Sequence, residues 1–567
     1  MEKRWVYKTL PETEQAESLA KAINVNPLLA SILIQREITD FDEAKSFFRP
    51  SINELHDPFL MKDMDKAVER LSRAIDSKEK ILIYGDYDVD GTTSVSLVYD
   101  FLSKKYSNID FYIPDRYKEG YGVSTLAMEW AKENGVDLII SLDCGIKSSS
   151  QIALAASYNI DFIVCDHHKV GDTIPPAYAV LDPKRLDCEY PFKELSGCGV
   201  GFKLLQAFSI KNNFPFEDLF PYLDLVAISI ASDIVPIVGE NRILAFYGLK
   251  IINSNPRPGV KALIDVAGYK KDLDITNVVF GLGPRINAAG RVAHAKAAVH
   301  LLLSQSDDEA EEHAKLINEK NTLRKDFDMS ITEEALQMIE DDLLAKDAKS
   351  TVLFKNDWHK GVIGIVASRC IEKYYRPTII LTESNNFATG SARSVFGFDV
   401  YEAISQCSDL LEQFGGHMYA AGLTLKVANV PAFRKKFETV VAAAITNEQL
   451  TPRIEIDLKL RISDIDYKLY NILKQISPFG PGNMQPVFVS ENVFDDGNCR
   501  LLKEQHLKIC VKQEGTASIE AIGFGMSEHY ERISRGDKFH LCYTICENDF
   551  NGKKSLQLFI KDIKYDH

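Results

Sequence analysis

The sequence predicts an α/β protein in three parts: a doubly wound parallel-sheet domain, a second α/β domain joined to it by a long helix, and a C-terminal all-β module. Three observations predict this. Short, continuous apolar runs alternate with helical patterns between residues 81 and 183, which is how strands buried on both faces of a parallel sheet read. The stretch 306–346 is rich in charge and helix formers and contains neither Gly nor Pro. Beyond about residue 450 the pattern turns to short β-prone runs separated by polar turns.

Taken in order, residues 1–60 read as a mostly helical lead-in. In the first domain, 61–305, the runs ILIY (81–84), FYIP (111–114), DLIISL (137–142), DFIVC (161–165) and AYAVL (177–181) are the expected strands. Helical patterns such as TSVSLVYDFLSKK (93–105) connect them, and residues 197–300 read as mostly helical. The connector 306–346 keeps no sustained heptad and is therefore not a coiled coil. The second domain, 347–448, holds TVLF (351–354), a helix near 361–375, PTIIL (377–381), ATGSARSV (388–395), a helix near 400–414 and AGLTLKV (421–427). The module 449–567, with runs such as HLKICVK and KFHLCYTIC, predicts either a small barrel or a sandwich.

Composition excludes several function classes. The 567 residues include 66 Lys+Arg and 81 Asp+Glu, a net charge of −15. That speaks against a histone-like binder but leaves room for a local basic channel. No uncharged apolar run approaches the roughly 18 residues of a membrane span, and the start MEKRWVYKTLPETEQ has no signal-peptide core. A cytoplasmic protein with no membrane association is expected. The ten cysteines form no C-x-x-C pair, so they read as reduced thiols.

The chemistry concentrates at strand ends. Asp86, Asp88 and Asp90, at i, i+2 and i+4 in D-Y-D-V-D-G, would share one face if the segment is extended. They follow an apolar run, at the carboxyl edge where parallel sheets bind ligands. A calcium loop would need Glu at its twelfth position, which is Leu97; a solvated acidic turn is the remaining alternative. Two further strand ends weigh against it, DLIISL leading to Asp143 and DFIVC to Asp166-His167-His168. Asp233 closes an apolar helix, where an unpaired carboxylate would be costly. Asp/His ligation without thiolate suits Mn²⁺ well and Mg²⁺ acceptably, and six or seven ligands make room for two cations. Cys144 and Cys165 should point away from the ligands by strand alternation. Arg116 follows a strand end and faces the same cleft, while Arg285 and Arg291 lie in a Gly-rich stretch read as a loop. In the second domain, Ser391, Arg393 and the sequence Gly415-Gly416-His417 suit a backbone grip. Trp358-His359-Lys360-Gly361 precedes a helix and reads equally as a phosphate site or a plain turn.

With D-Y-D-V-D-G, I-P-D-R-Y-K-E-G-Y-G, Asp166-His167-His168, A-S-D-I-V-P and G-P-R-I-N-A-A-G-R-V in order, the chain resembles the DHH phosphoesterase superfamily, within it the 5′→3′ single-strand exonucleases. W-H-K-G-V-I-G-I-V-A-S-R and F-G-G-H resemble the DHH-associated domain, and the C-terminal module that branch's OB-fold. The resemblance implies metal ligation by Asp86, Asp88, Asp90, Asp143, His167 and Asp233, with Asp88, Asp143, His167 and His168 catalytic. It implies substrate contacts from Arg116, Arg285, Arg291, Ser391, Arg393 and His417, and Mn²⁺ or Mg²⁺ as cofactor. It further implies single-stranded DNA as substrate, a single-strand-binding protein and a helicase as partners, and a monomer. Where other members carry a His four residues before the first acid, this chain has Leu82. The alternatives are a phosphodiesterase for short oligonucleotides or cyclic dinucleotides, and an inactive replication scaffold. In the C-terminal module, Tyr467, Tyr470, Phe479, Phe488 and Lys508 are the expected strand-binding side chains, and truncation near Thr451 is expected to spare cleavage of short oligonucleotides.

Overall fold

The computed structural model describes residues 2–292, 294–342, 348–550 and 552–566. A short strand, β1 (Arg4–Tyr7), precedes three helices that end at Phe48, so the lead-in is not purely helical. The first sheet is formed by β2 (Ile81–Gly85), β3 (Ile109–Tyr112), β4 (Leu138–Leu142), β5 (Asp161–Cys165) and β6 (Ala179–Leu181). All are parallel, in the order β3-β2-β4-β5-β6. Both β2 and β4 are buried along their whole length, as their Ile- and Leu-rich composition requires. The strand order reverses across β2 and β4, which opens a crevice at their carboxyl ends. Helices Val89–Ser103, Gly197–Lys211 and Leu223–Ser232 fill one face and are themselves almost wholly buried.

The connector is a single helix, Asp307–Asp341, started by the Ser306 side chain accepting from the Glu309 amide. Residues 343–346 of the expected connector, and 347 of the following unit, lie outside the described residues. The second sheet comprises β7 (Thr351–Phe354), β8 (Thr378–Ser384), β9 (Phe387–Arg393), β10 (Gln413–His417) and β11 (Ala420–Lys426), in the order β10-β11-β9-β8-β7. The helix expected near 400–414 covers only Val400–Ser405. Two consecutive glycines are poor helix formers, and F-G-G-H instead pairs with β11 across a two-residue turn.

The C-terminal module continues with β12 (Arg453–Ile456), β13 (Leu458–Lys459), β14 (Phe488–Asp495), β15 (Arg500–Leu502), β16 (His506–Lys512), β17 (Ile519–Gly523), β18 (Phe539–Phe550) and β19 (Lys553–Lys564). The order β14-β18-β19-β17-β16 closes through a second β14–β16 pairing, so the module is a barrel and not a sandwich. Its side chains correct the expected groove. Phe488 is 1% exposed and belongs to the core, Tyr470 and Phe479 pack against it, and Lys508 pairs with Glu520. Only Tyr467 of the five is exposed. The aromatic surface of the barrel is instead Phe524, in ring contact with His506 and Phe559.

The barrel is not a free appendage. β1 pairs in parallel with β12, Trp5 donates to Asp562, and Leu29 and Ile32 sit in the barrel's own core. Arg242, from the first domain, donates to the carbonyls of Phe47, Ile476 and Ser477. Burial, then the nearby Arg36, lowers its pKa to about 9. Truncation near Thr451 would strip β1 of its partner and expose these faces, so the expected sparing of short substrates does not follow. Arg242→Ala should lower the thermal midpoint, at a cost of about 2 kcal/mol for the buried carbonyls left without donors. A differential scanning measurement checks it.

Candidate metal centre

The carboxyl edge of the first sheet is built by three strand exits and two helix ends. After β2 the chain turns at once into the helix Val89–Ser103, so the three acids do not share one face of an extended segment. Asp86 directly follows the strand, Asp88 caps the helix by accepting from the Gly91 amide (3.0 Å), and Asp90 sits in the first turn. The turn is this tight because residue 91 is Gly: a Cβ there would lie 2.3 Å from the Asp86 carbonyl oxygen. Asp143 follows β4 at φ 60°, held by its amide donating to the Cys165 carbonyl.

These groups converge on His167. Its Nε2 lies 3.2 Å from Asp143 Oδ1, 3.5 Å from Asp233 Oδ2 and 3.7 Å from Asp90 Oδ2. Two overlapping sets, Asp143-His167-His168 and Asp90-His167-Asp233, bring one ligand atom each to within 4.8 Å of one another. Burial, and after it mutual repulsion, drives Asp86, Asp143 and Asp233 well above the usual carboxylate range and raises Asp88. Burial lowers the pKa of His167. Both of its ring nitrogens and Asp86 Oδ2 are buried without a hydrogen-bond partner. Orphaned polar atoms facing crowded carboxylates are what a divalent cation resolves, since its charge reverses the repulsion. The oxygen and nitrogen donors fit Mn²⁺ and Mg²⁺. Cys144 and Cys165 turn away into the hydrophobic cores on opposite faces of the sheet, as alternation predicts.

The sequence placed Asp166 at a strand end without giving it a role, and it did not single out Ser229 or Tyr121 at all. Asp166 accepts from His168 Nδ1 (2.8 Å) and from the amides of His167, His168 and Ile146. Burial opposes its charge, but these bonds hold it well below the usual range. Burial likewise opposes the His168 imidazolium, yet Asp166 raises that pKa to about 9. Asp90 accepts from the amides of Gly197 and Cys198 and from Ser229. Tyr121 Oη lies 3.1 Å from His168 Nε2; its place in the same motif as Arg116 was the available signal.

Facing the acids is a cluster of cations. Arg116 lies over the Tyr87 ring, Arg291 donates to the Gly361 carbonyl (2.8 Å), and Arg393 donates to Ser391 Oγ (2.9 Å). Burial, then the neighbouring Arg116, Arg324 and Arg393, lowers the Arg291 pKa to about 10. Burial followed by Arg116 lowers Arg393, and partial desolvation of the His417 ring, followed by Arg393, lowers His417. No carboxylate pairs with Arg116, Arg291 or Arg393 among the described residues, so their charge is available to an anion. Lys360, lowered by burial and by Arg116, joins them. Arg285 does not. G-P-R-I-N-A-A-G-R-V is a helix, Gly283–Val292, not a loop, and Arg285 points to the connector, donating to Asn318 Oδ1 and the Gly281 carbonyl.

Three family models match: the DHH family N-terminal domain at residues 80–230, the DHHA1 domain at 347–443 and the RecJ OB domain at 456–562. The chain is 39% identical to a single-stranded-DNA-specific exonuclease RecJ of Bacillus subtilis, over 99% of this chain and 70% of the relative. It is 33% identical to the protein of that name from Escherichia coli, over 88% and 90% respectively. Among solved structures, RecJ from Thermus thermophilus in complex with Mn²⁺ superposes with a TM-score of 0.86 at 25% identity, covering all of this chain and 80% of that one. Its Mg²⁺ complex gives a TM-score of 0.79. By sequence, domain order and fold, the chain belongs to the RecJ family of single-stranded-DNA-specific exonucleases.

Proposed function

We infer that this chain is a metal-dependent exonuclease that degrades single-stranded DNA in the 5′→3′ direction to mononucleotides, in DNA repair and recombination. The observation that carries the reading is the pairing of two incomplete electrostatic sets: crowded acids around an unpartnered His167, and unpaired arginines facing them. In this reading Asp86, Asp88, Asp90, Asp143, His167 and Asp233 hold two cations, and His168, fixed by Asp166, meets the scissile phosphate. Bound Mn²⁺ or Mg²⁺ supplies a water activated at neutral pH and offsets charge at the phosphoryl oxygens. Arg116, Arg291 and Arg393, with Ser391 and His417, grip the strand's phosphates. Arg285 instead braces the connector. The long helix sets the separation of the two α/β units so that one strand enters and a duplex does not. The protein acts as a cytoplasmic monomer alongside a single-strand-binding protein and a helicase; no helix of the described residues is long and apolar enough to cross a membrane.

The intact ligand set favours an enzyme over an inactive scaffold, and the appended barrel favours long strands over dinucleotides. Activity should vanish in chelator and return with Mn²⁺ at least as well as with Mg²⁺, because imidazole ligation favours the softer ion. End-labelled single strands, duplexes and RNA, each digested with either metal, provide the measurement. Full activity without divalent metal, or equal attack on duplex ends, contradicts the assignment.

A further inference from the structure

Ile234 stands one residue beyond Asp233 and adopts φ 60°. Every other non-glycine residue with positive φ among the described residues is Asn, Asp, Glu or Lys. A β-branched side chain in the left-handed region is strained, because its Cβ crowds the following carbonyl. Packing does not reward the strain: the side chain is 65% exposed. Glycine or asparagine would satisfy the turn at lower free energy.

The turn itself is fixed from behind. The Asp233 amide donates to the Ser229 carbonyl at the helix end, and Asn241 Nδ2 donates to the Pro236 carbonyl (3.0 Å). The Ile237 amide donates to the Pro481 carbonyl of the C-terminal module (2.7 Å). Ile237 is buried against Gly480, where a Cβ would come within 2.5 Å of its Cδ1. The backbone is therefore held while an apolar side chain is left in solvent beside a candidate metal ligand. Strain that folding does not reward persists at sites where a ligand does.

We propose that Ile234 is a substrate-contact residue, packing its apolar side chain against the nucleobase adjoining the scissile phosphate. The proposal rests on the exonuclease reading above. With the scissile phosphate at the acids and the flanking phosphates at the arginines, the part of a strand left to meet a side chain beside Asp233 is uncharged. A methyl-bearing contact carries no hydrogen-bond code, so it holds any base equally, as an enzyme that digests without sequence preference requires.

The test uses the full chain with Ile234→Gly, Ile234→Asn and Ile234→Val. Thermal midpoints are measured together with kcat and KM on 5′-phosphorylated strands that carry either a normal or an abasic 5′ nucleotide. In the Gly and Asn variants the midpoint should equal or exceed that of the wild type, while kcat/KM on the normal strand falls about tenfold, the effect of one lost apolar contact. Ile234→Val should lie between. The abasic end should slow the wild type by a similar factor and leave the Gly variant no slower than on the normal strand. A Gly variant with wild-type kcat/KM overturns the proposal, as does an abasic penalty of equal size in both proteins. Midpoints below wild type in both the Gly and Asn variants also overturn it, since the fold would then be what holds the side chain. A wild type that leaves single strands intact is a separate result: it removes the exonuclease reading and this inference with it.

Discussion

Asp143→Asn is expected to slow hydrolysis by about a thousandfold or more, the rate equivalent of the several kcal/mol that bound cations contribute to such a transition state. The substitution isolates charge from folding. Residue 143 sits at φ 60°, which Asn tolerates where Ala would be strained, and the backbone bond to Cys165 is untouched. His167→Ala should have a similar effect, because Asp90, Asp143 and Asp233 all face its Nε2. Affinity for a single strand should survive in both variants, since the arginine cluster and the barrel are intact. Turnover at saturating Mn²⁺ and anisotropy of a labelled strand separate the two effects. Near-normal turnover in either variant would falsify the ligand assignment.

Gly91→Ala is expected to reverse the usual sign of its substitution. In a helix interior, replacing Gly by Ala normally stabilises by about 1 kcal/mol. Here the added Cβ would meet the Asp86 carbonyl oxygen at 2.3 Å and its carbonyl carbon and nitrogen at 2.6 Å, backbone atoms that cannot rotate away. The strand-to-helix turn must open, at a cost of about 3 kcal/mol, carrying Asp86 and Asp88 out of place. Gly197→Ala should act alike, its Cβ falling 2.6 Å from that of Asp143. Gly171→Ala, with only Lys147 Cγ at 4.0 Å, is the control expected to change neither stability nor rate. Thermal midpoints and single-strand digestion rates decide the matter. A stabilised, fully active Gly91→Ala protein would show that the close approach does not hold the site.

The parallel sheet was legible because a strand buried on both faces must be nearly all apolar, as ILIY and LIISL are; the one polar side chain, Ser141, donates to the Cys144 carbonyl. The candidate metal ligands were legible because such strands deliver their next residues to one edge, so Asp86, Asp143 and His167 could be assigned to one cleft without knowing a distance. What escaped was set by tertiary approach. G-P-R-I-N-A-A-G-R-V reads as a loop when its glycines are taken as turn formers. In the helix they form, Gly290 instead lets the backbone pass the Tyr87 carbonyl, which an added Cβ would meet at 2.9 Å. Phe488 looked available for stacking because strand composition does not report which face closes a barrel. The four residues of β1 gave no signal, since their hydrogen-bond partner lies in the opposite terminal region.

That last pairing has a temporal consequence. Arg4–Tyr7 leave the ribosome some 450 residues before Arg453–Ile456, an interval of about 22 to 90 s at ordinary elongation rates. For that time an unpaired strand edge and the apolar side chains of Leu29 and Ile32 have no barrel to bury them. The nascent chain therefore carries a sticky amino-terminal segment past two α/β units that can fold ahead of it, and its yield should depend on chaperone capacity during synthesis more than on the stability of the finished protein.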